Sequence, residues 1–285
     1  MTPPLGAHVS AAGGLSKAVE RGVAIGCDAL QVFVKNASQW KAKPVAPADA
    51  EAFRAAHAAS PIGPLVAHAA YLINLAAPDP AILAKSRAAL RDELERCALY
   101  GVPGLVVHPG AHLGRGEEAG LAAIAESLDA VYAEIPDCPT RTLLELTAGQ
   151  GTVLGRRLAE LESIRAQAEC RERLAVCLDT CHAFAGGYAL DEPAGYEEFV
   201  AEIEATVGLE SIECVHLNDS VGTRGSRKDR HANIGAGELG LDAFARLLAD
   251  ARFARVPMVL ETPIGDDEQG HARDLATLRG LVAAR

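Results

Sequence analysis

Six short apolar runs in this chain each stop on a residue able to hold a metal ion. They are Leu65-Val66-Ala67-His68, Leu105-Val106-Val107-His108, Thr142-Leu143-Leu144-Glu145, Val176-Cys177-Leu178-Asp179, Glu213-Cys214-Val215-His216 and Met258-Val259-Leu260-Glu261. Runs of this kind bounded by turns read as buried strands of a parallel sheet. In a closed parallel barrel the carboxyl ends of all strands open onto one face, which would bring these three imidazoles and three carboxylates together. Such a set is a polynuclear metal site.

Two short motifs add ligands. Asp179-Thr180-Cys181-His182 sets a carboxylate at a strand end and an imidazole three residues later, in the turn. Asp229-Arg230-His231 has i, i+2 spacing, which puts both side chains on one side of an extended segment and suits an Asp-x-His pair clasping one zinc ion. The nine candidates are His68, His108, Glu145, Asp179, His182, His216, Asp229, His231 and Glu261. Nitrogen and carboxylate oxygen without cysteine point to Zn²⁺ or Mn²⁺ rather than a thiolate structural zinc. Two or three such ions with open positions generate hydroxide near neutral pH and stabilise entering and leaving oxygens at phosphorus.

Any one buried His or Glu at a strand end is more often a hydrogen-bonded structural residue than a ligand. The convergence of so many outweighs that, because an unpaired buried carboxylate is costly or shifts its pKa to neutralise. The remaining histidines read differently. His8 ends the first strand and is open to either a ligand or a hydrogen-bonding role. His112 is a loop residue after Pro109-Gly110, and His57 and His271 read as surface residues of helices. Cys177 and Cys181 read as packing.

The elements that must position these residues alternate along the chain. Strands are expected near Leu5, Ala29, Leu65, Leu105, Thr142, Ala175, Ile212 and Met258. Alanine-rich amphipathic stretches lie between and after them at 15–25, 48–59, 80–100, 118–134, 153–170, 195–207, 240–252 and 268–284. Eight βα units in 285 residues fit a (β/α)8 TIM barrel better than an open doubly wound sheet. No Pro- or Ser-rich linker divides the chain, which reads as a single domain over 1–285. The loops 35–47 and 217–238 are long for a barrel and sit where function concentrates.

Composition narrows the classes. The chain is 49% apolar, has no apolar stretch of transmembrane length and lacks a signal-peptide pattern at its N-terminus. Seven cysteines form no regular framework, and a reduced cytosolic protein is the expectation. A net charge of −11 argues weakly against a general nucleic-acid binder, since part of the acidity belongs to the metal cluster. Arg224, Arg227, Lys228 and Arg230 form one local basic segment, of a kind that is most often a solvated loop.

These residues resemble the endonuclease IV family, the zinc-dependent apurinic/apyrimidinic endonucleases of base-excision repair. The resemblance runs nearly end to end. It is carried by Gly6-Ala7-His8-Val9-Ser10-Ala11-Ala12-Gly13-Gly14-Leu15, Lys35-Asn36 with Gln39-Trp40, and His68 followed by Tyr71-Leu72-Ile73-Asn74-Leu75. Val107-His108-Pro109-Gly110, Leu144-Glu145 with Thr147-Ala148-Gly149-Gln150-Gly151, and Cys177-Leu178-Asp179-Thr180-Cys181-His182-Ala183-Phe184 continue it. His216-Leu217-Asn218-Asp219, Gly225-Ser226-Arg227 with Asp229-Arg230-His231, and Leu260-Glu261-Thr262 complete it.

The resemblance implies three zinc ions on a (β/α)8 barrel. His68, His108 and Glu145 would hold one. Glu145 would bridge to a second, completed by Asp179, His216 and Glu261, while His182, Asp229 and His231 would hold the third. The implied reaction is hydrolysis of the phosphodiester 5′ to an abasic site in duplex DNA, leaving a 3′-hydroxyl and a 5′-deoxyribose phosphate, with trimming of blocked 3′ ends as a second activity. Glu145 would be the catalytic residue, orienting the nucleophile. Tyr71 and Leu72 match the residues that fill the gap in the base stack, and Arg227 and Arg230 would grip phosphates. Mn²⁺ is an alternative at one position. The family precedent is a cytoplasmic monomer acting on nucleoid DNA without a membrane.

Three positions depart from the family pattern: Leu146 where Asn is usual, Ser38 where some members carry Arg, and Ala69-Ala70 where Asp-Ser is common. The first and last remove polar partners for ligands, and Ser38 is too short to enter a DNA stack. Two rival readings remain. A sugar isomerase-like barrel uses similar strand ends with one or two metals and does not account for His182, Asp229 and His231. A silent DNA-binding or zinc-storage protein would be expected to have lost some ligands.

Overall fold

The apolar runs fold as strands and the alanine-rich stretches as helices in a computed structural model that describes residues 2–283. The first half runs β1 (Leu5–His8), α1 (Leu15–Ala24), β2 (Ala29–Phe33), α2 (Pro47–Ala58), β3 (Leu65–His68), α3 (Pro80–Tyr100), β4 (Gly104–Val107) and α4 (Glu117–Glu134). It continues with β5 (Arg141–Glu145), α5 (Leu158–Gln167), β6 (Leu174–Asp179), α6 (Thr180–Gly186), α7 (Pro193–Thr206) and β7 (Ile212–His216). The last part is β8 (Asp219–Ser220), β9 (His231–Ala232), α8 (Leu241–Ala249), β10 (Met258–Leu260) and α9 (Gly270–Ala283).

Eight parallel strands close in the order β1-β10-β7-β6-β5-β4-β3-β2, with β1 pairing to both β10 and β2. The chain is therefore the single (β/α)8 barrel expected. Among the described residues no helix is long and apolar enough to cross a membrane.

Side chains alternate across a strand, so positions two apart share a face. Inside the barrel this alternation makes layers. Ala29, Val66, Val106, Leu143, Cys177, Cys214 and Val259 belong to one buried apolar cluster. Each lies two residues before a polar residue at the barrel mouth: Gln31, His68, His108, Glu145, Asp179, His216 and Glu261 respectively. The eighth strand contributes Gly6 to this level. A Cβ at Gly6 would stand 1.8 Å from the Ala29 carbonyl oxygen, which leaves no room for a side chain between β1 and β2.

α3 shows why the helices begin and end where they do. Asp79 accepts from Ala81 N at 2.7 Å, Pro80 opens the first turn, and Gly101 closes the helix in the left-handed region at φ 73°. The loop after β7 has an internal hub. Asp219, fully buried, accepts backbone N–H groups from Gly235 at 2.9 Å, Gly237 at 3.1 Å and Leu239 at 3.0 Å. The two-residue hairpin of β8 and β9 closes on this hub and carries His231.

Some details differ from expectation. α5 starts at Leu158 rather than 153, because the Glu160 carboxylate gathers Gly155 N at 2.8 Å and Arg156 N at 3.2 Å into a turn before the helix. His182 does not sit in a plain turn: Asp179 caps α6, and His182 lies in its first turn. α9 is described from Gly270 to Ala283, and the end of the expected 268–284 stretch lies outside the described residues.

Candidate metal centre

Six strand ends, the first turn of α6 and the β8–β9 hairpin with its loop bring all nine candidate residues to one face. Three groups drawn from these nine each have donor atoms within 4.8 Å of one another: His68, His108 and Glu145; Glu145, Asp179, His216 and Glu261; and His182, Asp229 and His231. Glu145, fully buried at the end of β5, is common to the first two groups and touches His182 of the third. Its Oε2 is 3.1 Å from His68 Nε2 and 2.9 Å from His108 Nε2. Its Oε1 is 3.1 Å from His216 Nδ1 and 3.2 Å from His182 Nδ1.

The imidazoles are held from behind. His68 Nδ1 lies 2.8 Å from the Ala69 carbonyl, His182 Nδ1 3.0 Å from the Leu146 carbonyl, and His216 Nε2 2.9 Å from Gln31 Oε1. His231 Nδ1 makes a longer 3.3 Å contact with the Glu261 carbonyl. Each ring thus donates one N–H to an oxygen and turns its other nitrogen toward the carboxylates, the arrangement that fixes the tautomer of metal-binding histidines. The Nε2 atoms of His182 and His231 are buried and have no hydrogen-bond partner, although Asp229 Oδ1 approaches them at 3.1 and 3.5 Å. Buried, unpartnered lone pairs aimed at carboxylates fit a cation between them.

The carboxylates are held in the same way. Asp179 Oδ1 accepts from His182 N at 2.7 Å and Oδ2 from Asn218 Nδ2 at 2.7 Å, while Asn218 Oδ1 accepts from Glu261 N at 2.9 Å. Asn218 therefore ties the ends of β6 and β10 together.

The electrostatics favour positive charge. Burial works to raise Glu145 and Glu261, but the surrounding imidazoles outweigh it and hold both well below the usual carboxylate range. Asp229 is pushed down to about 2, with burial opposing and His182 prevailing. Burial lowers His182 and His216, and the carboxylates around them reverse this and push both well above 6.5. The field that holds protons on these rings would equally hold divalent ions.

Several expectations are corrected here. His271 is not a surface residue: it is 7% exposed, and its Nε2 lies 2.9 Å from the Thr262 carbonyl. His57 is half-buried, with Nε2 2.9 Å from the Gly63 carbonyl. Leu146 and Ala69 lose side-chain polarity relative to the family pattern, yet both supply the backbone carbonyl that holds a histidine. His8 reaches the site, with Nδ1 3.3 Å from Glu261 Oε1. His112 is a loop residue whose Nδ1 accepts from Gly114 and Gly116 N. Cys177 and Cys181 are buried, and Cys177 lies in the apolar layer beneath the cluster.

The mouth is a cavity of about 360 Å³ lined by six of the nine candidates together with Phe33, Tyr71 and Ile264. Tyr71 is 71% exposed and packs edge-on against Phe33, with ring centroids 5.5 Å apart. Leu72 is half-buried beside it. Arg227 and Arg230 are exposed on the loop that carries Asp229, whereas Arg224 is neutralised by Asp191 and Glu192. The basic segment is thus narrower than its sequence suggests.

Gln31 and Glu93 do not stand out in the sequence, and Lys35 and Asn218 stand in motifs that do not show what they will face. Gln31 carries a usable signal, since it is the inward polar position of β2 at the level where the other strands present ligands. Glu93 carries none, because nothing local to it shows what it will face.

Fold and cluster together define a xylose isomerase-like TIM barrel, and the family of that description matches residues 19–281. Relatives named "Probable endonuclease 4" share 50% identity over 98% of this chain and 98% of their own in Chloroflexus aurantiacus, and 50% over 98% and 94% in Halorhodospira halophila. The crystal structure of endonuclease IV from Thermus thermophilus superposes with a TM-score of 0.87 at 38% identity, covering 99% of this chain and 100% of that one. This chain belongs to the endonuclease IV family. D-psicose 3-epimerase from Clostridium cellulolyticum, at 15% identity and a TM-score of 0.70, shares the fold alone.

Proposed function

We propose that this protein is a metal-dependent DNA repair endonuclease. It hydrolyses the phosphodiester 5′ to an abasic site in duplex DNA, leaving a 3′-hydroxyl and a 5′-deoxyribose phosphate, and it trims blocked 3′ ends. The observation that carries this reading is three donor groups side by side, with Glu145 common to two of them and in contact with His182 of the third. A sugar isomerase-like barrel gives no account of the group formed by His182, Asp229 and His231.

His68, His108 and Glu145 would hold one Zn²⁺; Glu145, Asp179, His216 and Glu261 a second; and His182, Asp229 and His231 a third, with Mn²⁺ able to replace zinc at one position. Bound there, the ions would lower the pKa of water and neutralise charge on a phosphodiester undergoing in-line displacement.

The chain's own residues do the rest. Glu145 directs one oxygen to each side of the cluster and orients what lies between. A mouth of about 360 Å³ is at the small end of ligand cavities, which excludes a duplex and accepts a nucleotide turned out of it. Extrusion costs least where the base is already missing. Exposed Tyr71, with Leu72 beside it, fills the space left in the stack. Arg227 and Arg230 contact backbone phosphates next to Asp229. On this reading the protein works as a monomer on nucleoid DNA in the cytoplasm.

The test is a duplex carrying one tetrahydrofuran abasic-site analogue, which cannot undergo β-elimination, incubated with zinc-loaded protein and with Glu145→Ala. Incision 5′ to the lesion, lost in the variant, is expected. A protein that carries its full complement of zinc and leaves the duplex intact would overturn the proposal in favour of the sugar isomerase-like reading.

A further inference from the structure

Gln31 is fully buried at the centre of β2, and every polar atom of its amide is engaged. Its Nε2 lies 2.6 Å from Glu261 Oε1 and 3.0 Å from His8 Nδ1, and its Oε1 lies 2.9 Å from His216 Nε2. An ionised carboxylate only accepts, so the amide atom against Glu261 must be the NH₂ group. The opposite atom is then the carbonyl oxygen, and His216 Nε2 must carry the proton it donates there. That leaves His216 Nδ1 as the nitrogen facing Glu145 Oε1 at 3.1 Å and Glu261 Oε2 at 3.2 Å.

We propose that Gln31 is a positioning residue that selects the ligating atom of two metal ligands at once: Nδ1 of His216 and Oε2 of Glu261. The inference rests on the metal reading above. A neutral amide can accept from an imidazole and donate to a carboxylate from a single rigid plane. Gln31→Glu keeps the acceptor for His216 and sets a second carboxylate against Glu261. Gln31→Met keeps the bulk and removes both interactions.

The experiment measures metal release from wild type, Gln31→Met and Gln31→Glu by a chromogenic chelator, with unfolding in urea as the check on folding. Wild type is expected to hold its zinc against the chelator. Each variant should release a single equivalent at a roughly 10- to 100-fold lower chelator concentration, the range for losing an outer partner of a metal-binding histidine, with the remaining equivalents unchanged. Long-range ¹⁵N–¹H spectra of the zinc-loaded protein should show His216 protonated at Nε2, and Gln31→Met should lose that slowly exchanging proton. Release of all equivalents together, or in the wild-type order, would overturn the role of Gln31 and leave the metal reading intact. A folded wild-type chain that takes up no zinc would overturn both.

Discussion

Lys35 Nζ and Glu93 Oε1 lie 3.2 Å apart where neither side chain meets solvent, each being 1% exposed. Lys35 also reaches the Trp40 carbonyl at 3.2 Å, and Glu93 accepts from Ala70 N at 3.1 Å. The pair thus joins the loop after β2 to the loop after β3, and the second of these carries Tyr71. Burial works to raise the Glu93 carboxyl above its usual range and Lys35 counters it, without fully cancelling the effect. Removing Glu93 leaves Lys35 with only the longer, half-exposed contact to Asp92 at 3.5 Å, so Glu93→Ala should cost up to about 3–5 kcal/mol, the range for breaking a buried pair. Lys35→Met combined with Glu93→Leu should recover much of this but not all, because Ala70 N–H still lacks its acceptor, worth about 1–3 kcal/mol. Urea unfolding of the single and double variants measures both quantities.

Asp229 belongs to one donor group only, and its side chain is 38% exposed, so its loss should spare the fold. Asp229→Ala is expected to bind one metal equivalent fewer than wild type. Incision should fall by more than about 100-fold, since losing even an outer partner of a ligand costs roughly 10- to 100-fold. Metal analysis alongside rates on the abasic duplex checks both. A variant with full metal content and full rate would remove Asp229 from the site.

Tyr71→Ala should leave stability within about 0.5 kcal/mol of wild type, as expected for an exposed side chain. Its binding to abasic duplex should weaken by about 1–3 kcal/mol, roughly 5- to 150-fold, the range for losing an aromatic platform against a base. Fluorescence anisotropy on abasic and intact duplexes would show whether the loss is confined to the lesion.

Cys27 is buried, and burial pushes its thiol up from 9 to about 11. A folded pKa above the unfolded one gives stability that is present below pH 9 and lost as pH rises toward 11. The full difference is about 2–3 kcal/mol. Urea midpoints at about pH 8 and about pH 10.5, on either side of the unfolded value, should therefore fall further for wild type than for Cys27→Ala. Equal falls would show that folding does not raise the pKa of this thiol.

The barrel and its strand ends are legible in the sequence because both depend on alternation within four or five residues. In Leu65-Val66-Ala67-His68 and its counterparts, the inward positions are apolar until the last, which is polar. Six of the nine candidate ligands fall at those last positions, and their convergence follows from closure of the sheet. What is not legible depends on partners distant in sequence. His271 reads as a surface residue of α9, yet the Thr262 carbonyl faces it across a turn. Leu146 reads as a lost polar group, although its contribution is a backbone oxygen that no side-chain comparison can register. Glu93 reads as one more charge on a helix until the fold sets it against Lys35. α6 escapes a reading by pattern because seven residues are too few to show a helical period.

The apolar layer formed by Val66, Val106, Leu143, Cys177, Cys214 and Val259 has a consequence for traffic. It stoppers the barrel directly beneath the polar cluster, and a vessel stoppered at the bottom fills and empties only through its neck. Tyr71 and Phe33 line that neck, so what enters or leaves the cluster through it passes beside them. A duplex seated on that rim would seal everything below it until it departs.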